Sequence, residues 1–381
     1  MIVDRPDRGC CAGSTCADAK AYERTKTLLA VARLLLTAAL LVVVVLSGAS
    51  SWLAEALSRP GNHFYLNTAV YALILGAGYH LFFIWLDFYS GYVMEHRYGL
   101  SNQTAAAWLK KELKVTLLSL AVVLIATETL YYCLKRFPQF WWLPAAGAWL
   151  AFTIIAAKIV PTLIIPLFYR CRTLANETLK RRLMNLSFAC GVPVRNVFEI
   201  ELSSETTKAN AGVVGWGRSR RILLGDTLLK NYSPQEIEAV FAHELAHIRL
   251  RHIWKLIGFA SACWLIGFYV TFLLFRAIMD SLGRVVWDTA GFPLLALLMM
   301  TAGLALTPFQ LWYSRHVEKQ ADLFAAKHIE HPQHLASALR KLARQNLADP
   351  TPPRLREIFF CDHPPLSKRV AYITTAAQQD Y

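Results

Sequence analysis

The sequence predicts a mainly α-helical, polytopic membrane bundle of about six spans, joined to a water-facing α+β part. Three observations predict it. Of the 381 residues, 55% are hydrophobic and the mean hydropathy is +0.34, too apolar for an ordinary soluble chain of this length. Six apolar runs recur along the chain, each near the roughly 20 residues that cross a bilayer. The net charge of +14 is also unevenly placed. If six crossings start from a cytosolic N-terminus, the loops on the far side carry only Arg59, Lys135, Arg136, Arg276 and Arg284, and nearly all other Lys and Arg fall on the near side. This is the positive-inside pattern of an integral, multi-pass protein of a bacterial inner membrane or endoplasmic reticulum membrane. Anionic lipid headgroups account for the surplus base, so no nucleic-acid partner is expected.

Residues 1–26 mix charge, glycine and cysteine without period and read as a flexible cytosolic N-terminal tail. Residues 27–168 read as a four-span membrane bundle, with runs at 28–46, 66–88, 115–134 and 141–168. Arg33 in the first run is expected to snorkel toward the near interface. Pro60 and Gly61 mark a turn in the first outer loop, and Pro161 and Pro166 predict a kink near the end of the fourth run. Glu128 and Lys158 are candidates for an ion pair across the bundle. Residues 169–252 turn soluble and read as a cytosolic part with a small sheet and the helix around His243-Glu244-Leu245-Ala246-His247. A helix is expected over 174–190, ending at Gly191, and strands over 196–202, 206–214 and 221–229, the last two around Gly215-Trp216-Gly217. Residues 253–313 hold two further spans. Residues 314–381 form a cytosolic C-terminal part, with helices over 314–328 and 333–346 and a rigid turn at His363-Pro364-Pro365.

The chemistry concentrates at His243-Glu244-Leu245-Ala246-His247. On a helix the two histidines stand four residues apart on one face, where they can chelate a single zinc ion, and Glu244 can then act as general base toward an attacking water. Ser233-Pro234-Gln235-Glu236 reads as the start of that helix, with Ser233 as N-cap and Glu236 closing a capping box. Ile237, Val240, Phe241, Ala242, Leu245 and Ile248 form its apolar stripe. A catalytic zinc takes three protein ligands and keeps one open position. His252 lies about 140° round from His247 on a continuing helix and so reads as an interfacial histidine pointing away. The nearest plausible third ligand is Glu318. Asp322, one turn later, could accept the outer N–H of a liganding histidine. Two spans separate His247 from Glu318, and two crossings return the chain to its starting side.

These residues bring the chain to a family. Over about 95–369 it resembles the integral-membrane CAAX prenyl proteases, zinc endopeptidases with a thermolysin-like centre. The resemblance rests on the two motifs above, on Glu95-His96-Arg97-Tyr98-Gly99-Leu100-Ser101-Asn102-Gln103-Thr104, on Ala209-Asn210-Ala211, and on His363-Pro364-Pro365-Leu366-Ser367-Lys368-Arg369. It implies one zinc per chain held by His243, His247 and Glu318, with Glu244 as general base and Asp322 behind the ligands. It further implies that His363 and Arg369 steady the oxyanion and that Asn210 holds the substrate backbone. Where the family commonly has an aromatic after Asn-Ala, this chain has Gly212, and it shows six spans where eukaryotic members usually have seven. The implied partners are membrane lipids and a peptide or protein substrate, prenylated or not, cut at its C-terminal end. Two other readings use the same residues differently: a membrane quality-control zinc endopeptidase, and a noncatalytic scaffold or transporter. An intramembrane protease is disfavoured because Gln235, Glu236, Glu238, Arg249 and Arg251 hold the zinc helix at the aqueous rim. The scattered cysteines suggest neither a disulfide framework nor a cysteine metal site.

Overall fold

The fold, taken from a computed structural model, is described for residues 14–58, 63–192, 194, 196–214 and 221–379. The chain runs α1 (Ser14–Leu46), α2 (Ala49–Leu57), α3 (Phe64–Phe88), α4 (Met94–Arg97), α5 (Ala105–Arg136), α6 (Trp142–Ile159) and α7 (Ile165–Phe168). It continues through β1 (Cys171–Thr173), α8 (Glu177–Ala189), β2 (Val197–Ile200), β3 (Ala211–Val214), β4 (Arg221–Gly225), α9 (Asp226–Asn231) and α10 (Pro234–Arg249). The remainder is α11 (His252–Ser281), α12 (Phe292–His328), α13 (Gln333–Gln345), α14 (Arg354–Phe360) and α15 (Leu366–Gln379).

Six helical stretches among the described residues are long and apolar enough to span a membrane, as expected: Cys16–Leu46, Phe64–Arg97, Ala105–Arg136, Trp142–Phe168, His252–Ser281 and Thr289–His328. Each turns large apolar side chains outward, Leu35, Leu81, Ile125, Leu163, Ile266 and Phe309 among them. Such faces suit lipid rather than water. A π turn over Val160–Ile164 takes up Pro161, whose missing N–H breaks the α ladder at the predicted kink.

The sequence misplaced several details of the bundle. The tail expected over 1–26 is helical from Ser14 onward, and Tyr22 is buried with its hydroxyl donating to Glu95 Oε1 at 2.6 Å. Arg33, expected to reach toward the near interface, has a protein partner. It pairs with Asp87 and donates to the Tyr79 hydroxyl at 3.3 Å, because a neighbouring carboxylate satisfies the guanidinium inside the bundle. Glu128 and Lys158 form no pair: Lys158 is exposed, and Glu128 Oε1 is buried without a hydrogen-bond partner. The turns expected at Pro60-Gly61 and Gly215-Trp216-Gly217 lie outside the described residues.

Outside the six spans, a four-stranded sheet has the order β1-β2-β4-β3. The pairs β1/β2 and β3/β4 are antiparallel, and β2/β4 is parallel. The strand expected over 221–229 stops at Gly225, and its second half is α9, because the Asp226 carboxylate turns back to accept the Leu202 and Ser203 amides at 2.9 and 3.0 Å. Gly225 is required there, since a Cβ would stand 2.9 Å from the Asn210 carbonyl oxygen. Val240, Phe241 and Leu245 of α10 pack on Val197, Ile222 and Leu224 of the sheet in one buried core. That burial turns the other face of α10 toward α12 and β3.

The capping box of α10 is present. Ser233 Oγ accepts the Glu236 amide at 3.3 Å, and Glu236 Oε2 accepts the Ser233 amide at 2.9 Å. Glu236 also takes Ser337 Oγ and Lys341 Nζ, each at 2.7 Å, and so ties α10 to α13. Burial works to raise its carboxyl, but the Lys341 and Ser337 bonds win and hold it below the ordinary 4.5. Glu236→Ala should lower the unfolding free energy by about 2–3 kcal/mol at neutral pH, measured by denaturant titration in detergent. A depressed folded pKa stabilises above the ordinary value and ceases to as pH falls through the folded one. The gap between wild type and variant should therefore be constant near neutrality and close below about pH 4.

Candidate active site

Two elements place the three predicted ligands together. His243 and His247 sit one turn apart on α10, and Glu318 stands on α12, which runs without a break from the sixth span into the site. The two Nε2 atoms are 3.2 Å apart, and Glu318 lies 3.3 Å from His243 Nε2 and 3.4 Å from His247 Nε2. One donor atom from each of the three residues falls within 4.8 Å of the others. Glu318 Oε2 is buried and has no hydrogen-bond partner. Two imidazoles and an orphaned carboxylate oxygen aimed at one point fit a divalent metal, and leave a ligand position free toward the adjacent cavity.

Asp322, fully buried one turn beyond Glu318, makes a 3.0 Å contact with His243 Nδ1. Arg369 of α15 grips it with two hydrogen bonds of 2.8 and 2.7 Å. Burial works to lower the His243 pKa, but the adjacent Asp322 and Glu318 carboxylates carry it to about 9. His247, buried beside that cation, falls to about 3. The metal-free pair therefore carries one positive charge near neutral pH, on His243. Because a metal ligand must be deprotonated, apparent metal affinity should rise about tenfold per pH unit up to about pH 9 and then level off, as read by chelator competition.

Glu244 is half-buried, and its Oε2 accepts the Val213 amide of β3 at 3.1 Å. Burial pushes its carboxyl above 4.5, which strengthens it as a base. His363 lies 3.3 Å from Glu318 Oε2 through Nε2, and its Nδ1 is 2.8 Å from Asp362 Oδ1. Burial opposes protonation of His363, but Asp362 prevails and raises its pKa. Asn210 is exposed at the mouth of a cavity of about 500 Å³ that also reaches His243, Glu244, His363 and, on α1, Lys26. A Cβ on Gly212 would meet nothing within 4 Å, so the edge strand is open there.

Two features of the site were not foreseen. His252 does not point away: it is fully buried, with Nδ1 3.1 Å from His247 Nδ1. The chain reverses at Arg251, whose φ of 55° is left-handed, so α10 does not continue and the 140° offset assumed for a single helix does not apply. No glycine announces that reversal in the sequence. Asn346, just beyond α13, holds Ala209 at both backbone groups, accepting its N–H at 2.9 Å and donating to its carbonyl at 3.0 Å. The loop after α4 helps from the other side, where Leu100 O accepts the Thr207 amide at 3.1 Å and the Asn102 amide bonds Glu205 O at 3.0 Å. These contacts aim the segment that enters β3.

Comparison with known proteins shows what this geometry belongs to. The model of peptidase family M48 matches residues 173–377, more than half of the chain. The chain belongs to peptidase family M48. A second family model, the CAAX prenyl protease N-terminal region of five membrane helices, matches residues 9–170 of this M48 protein. CAAX prenyl protease 1 of Saccharomyces cerevisiae is 30% identical, over 77% of this chain and 69% of its own. An uncharacterised metalloprotease of Bacillus subtilis is 29% identical, over 94% of this chain and 85% of its own. The crystal structure of S. mikatae Ste24p shares the fold with a TM-score of 0.85 at 24% identity, over 96% of this chain and 90% of that one. The protein is thus an integral-membrane metalloprotease of the CAAX-protease type.

Proposed function

We propose that this chain is a zinc endopeptidase that removes C-terminal residues from prenylated proteins or peptides, with its active site at the cytosolic face. The observation that carries the reading is the convergence of His243, His247 and Glu318 beside Glu244, with His243 and Glu244 lining a cavity that also touches α1 of the membrane bundle. A hydrophobic tail can reach the site from the lipid side while the peptide lies along the sheet. Lys and Arg placement supports the cytosolic orientation.

A zinc ion held by His243, His247 and Glu318 would polarise the scissile carbonyl and acidify a water molecule. The chain supplies the rest. β3 ends the sheet order, so an extended peptide adds as a further strand, with Ala211 presenting its backbone on the same side as Val213. Asn210 binds the peptide backbone at the start of that edge. Glu244 takes the proton of the attacking water and delivers it to the leaving amine. His363 donates Nε2–H to the oxyanion, where one donor is worth about 10²–10³-fold in kcat. Arg369 is committed to Asp322 by both of its hydrogen bonds, so it steadies the site through that carboxylate.

Purified wild type and Glu244→Gln, offered matched farnesylated and unmodified peptides, test the proposal. Cleavage confined to the farnesylated peptide and lost in the variant supports it. Equal cleavage of both peptides points to a broader membrane endopeptidase, and cleavage insensitive to Glu244 would overturn the assignment of this site.

A further inference from the structure

Each of the two site histidines has a second ring nitrogen, and the two are held by different chemistry. His243 Nδ1 lies against a carboxylate, Asp322. His247 Nδ1 lies 3.1 Å from the Nδ1 of another imidazole, His252, which is completely buried at the head of α11. His252 Nε2 meets Gln320 Oε1 at 3.2 Å, and Gln320 Nε2 meets His316 Nε2 at 3.0 Å. The four side chains form one chain from the site to the exposed face of α12.

Only one placement of protons along this chain leaves His247 able to bind a metal through Nε2. His247 must then carry its proton on Nδ1 and donate it, so His252 Nδ1 must accept. A neutral His252 therefore carries its proton on Nε2 and donates it to the Gln320 carbonyl oxygen. The Gln320 amide group in turn donates to His316 Nε2. If the Gln320 amide were reversed, its NH₂ would oblige His252 Nε2 to accept, His252 Nδ1 would donate, and the proton on His247 would shift to the metal-facing nitrogen.

We propose that His252 is a positioning residue, oriented by Gln320, that keeps the metal-facing nitrogen of His247 free of a proton. The proposal rests on His247 being a metal ligand. A His247→Ala variant with undiminished metal affinity would remove that premise separately.

The test uses the full-length protein in detergent, with Co²⁺ as the probe. Its affinity is read by chelator competition and its ligand field by visible absorption. His252→Phe fills the space without an acceptor, and should weaken Co²⁺ binding about 10- to 100-fold and alter the spectrum. His252→Asn places a carbonyl oxygen near the Nδ1 position, and should recover most of the affinity and the wild-type spectrum. Wild-type binding by His252→Phe would overturn the proposal. So would an equal loss in both variants at matched thermal stability of the metal-free proteins, since that reports packing alone. If His252→Phe does not fold, Gln320→Leu carries the test: weakened Co²⁺ binding supports the proposal, and unchanged binding and spectrum overturn it.

Discussion

Replacing Glu244 by glutamine is expected to lower kcat for peptide hydrolysis by about 10²–10⁴-fold, the range lost when a positioned acid–base group is removed. The amide has nearly the same shape and can still accept the Val213 N–H, now 3.1 Å from Glu244 Oε2. It cannot take a proton. The edge strand and the three ligands should therefore stay in place, and metal content should equal that of wild type. Metal analysis beside single-turnover kinetics checks both halves of the expectation. A variant that lost its metal would show that Glu244 holds the site together, and one that kept its rate would exclude it as the base.

The second large effect is at Asp322. Its carboxylate is fully buried, receives two hydrogen bonds from Arg369 and touches His243 Nδ1. Asp322→Ala leaves a guanidinium whose side chain is 12% exposed, its direct two-hydrogen-bond partner gone and Glu318 at 3.9 Å. Removing one partner of a buried pair costs about 3–5 kcal/mol, and losing the contact behind a ligand costs about 10- to 100-fold in metal affinity. The double variant Asp322→Ala/Arg369→Met separates the two effects. It should regain much of the stability, because no charge is stranded, and none of the metal affinity. Burial works to raise the Asp322 carboxyl, but Arg369 holds it well below 3.8. The group therefore stabilises the fold above the ordinary carboxylate range and ceases to as pH falls below it. Equilibrium unfolding at pH 7 should show the full difference between wild type and Asp322→Ala.

These two residues also mark how far sequence reasoning reached. Glu244 was legible because its neighbours His243 and His247 repeat at helical spacing behind a capping box, and the geometry of one helix then follows from local rules. Glu318 and Asp322 were legible as a pair one turn apart, brought back to the starting side by two spans. The residue that meets Asp322 from the other direction is Arg369, and its place came from family resemblance rather than from periodicity. The same resemblance read it as an oxyanion group, whereas its observed hydrogen bonds both go to Asp322.

By itself the sequence determined the six apolar spans, the start of α10 and the residues that can hold a metal. The spans, the helix start and the His243/His247 pair depend on hydrophobic period, caps or spacing within a few turns of one element, and Glu318 on an even number of crossings between the two motifs. Only the tertiary structure decided which distant group satisfies each buried polar atom. Asp87 meets Arg33, and Asn346, 137 residues away in sequence, holds Ala209. His252 meets His247 only because the backbone turns left-handed at Arg251. A buried donor or acceptor must find a partner, but which one it finds is set when separate elements pack, and no local pattern encodes that choice.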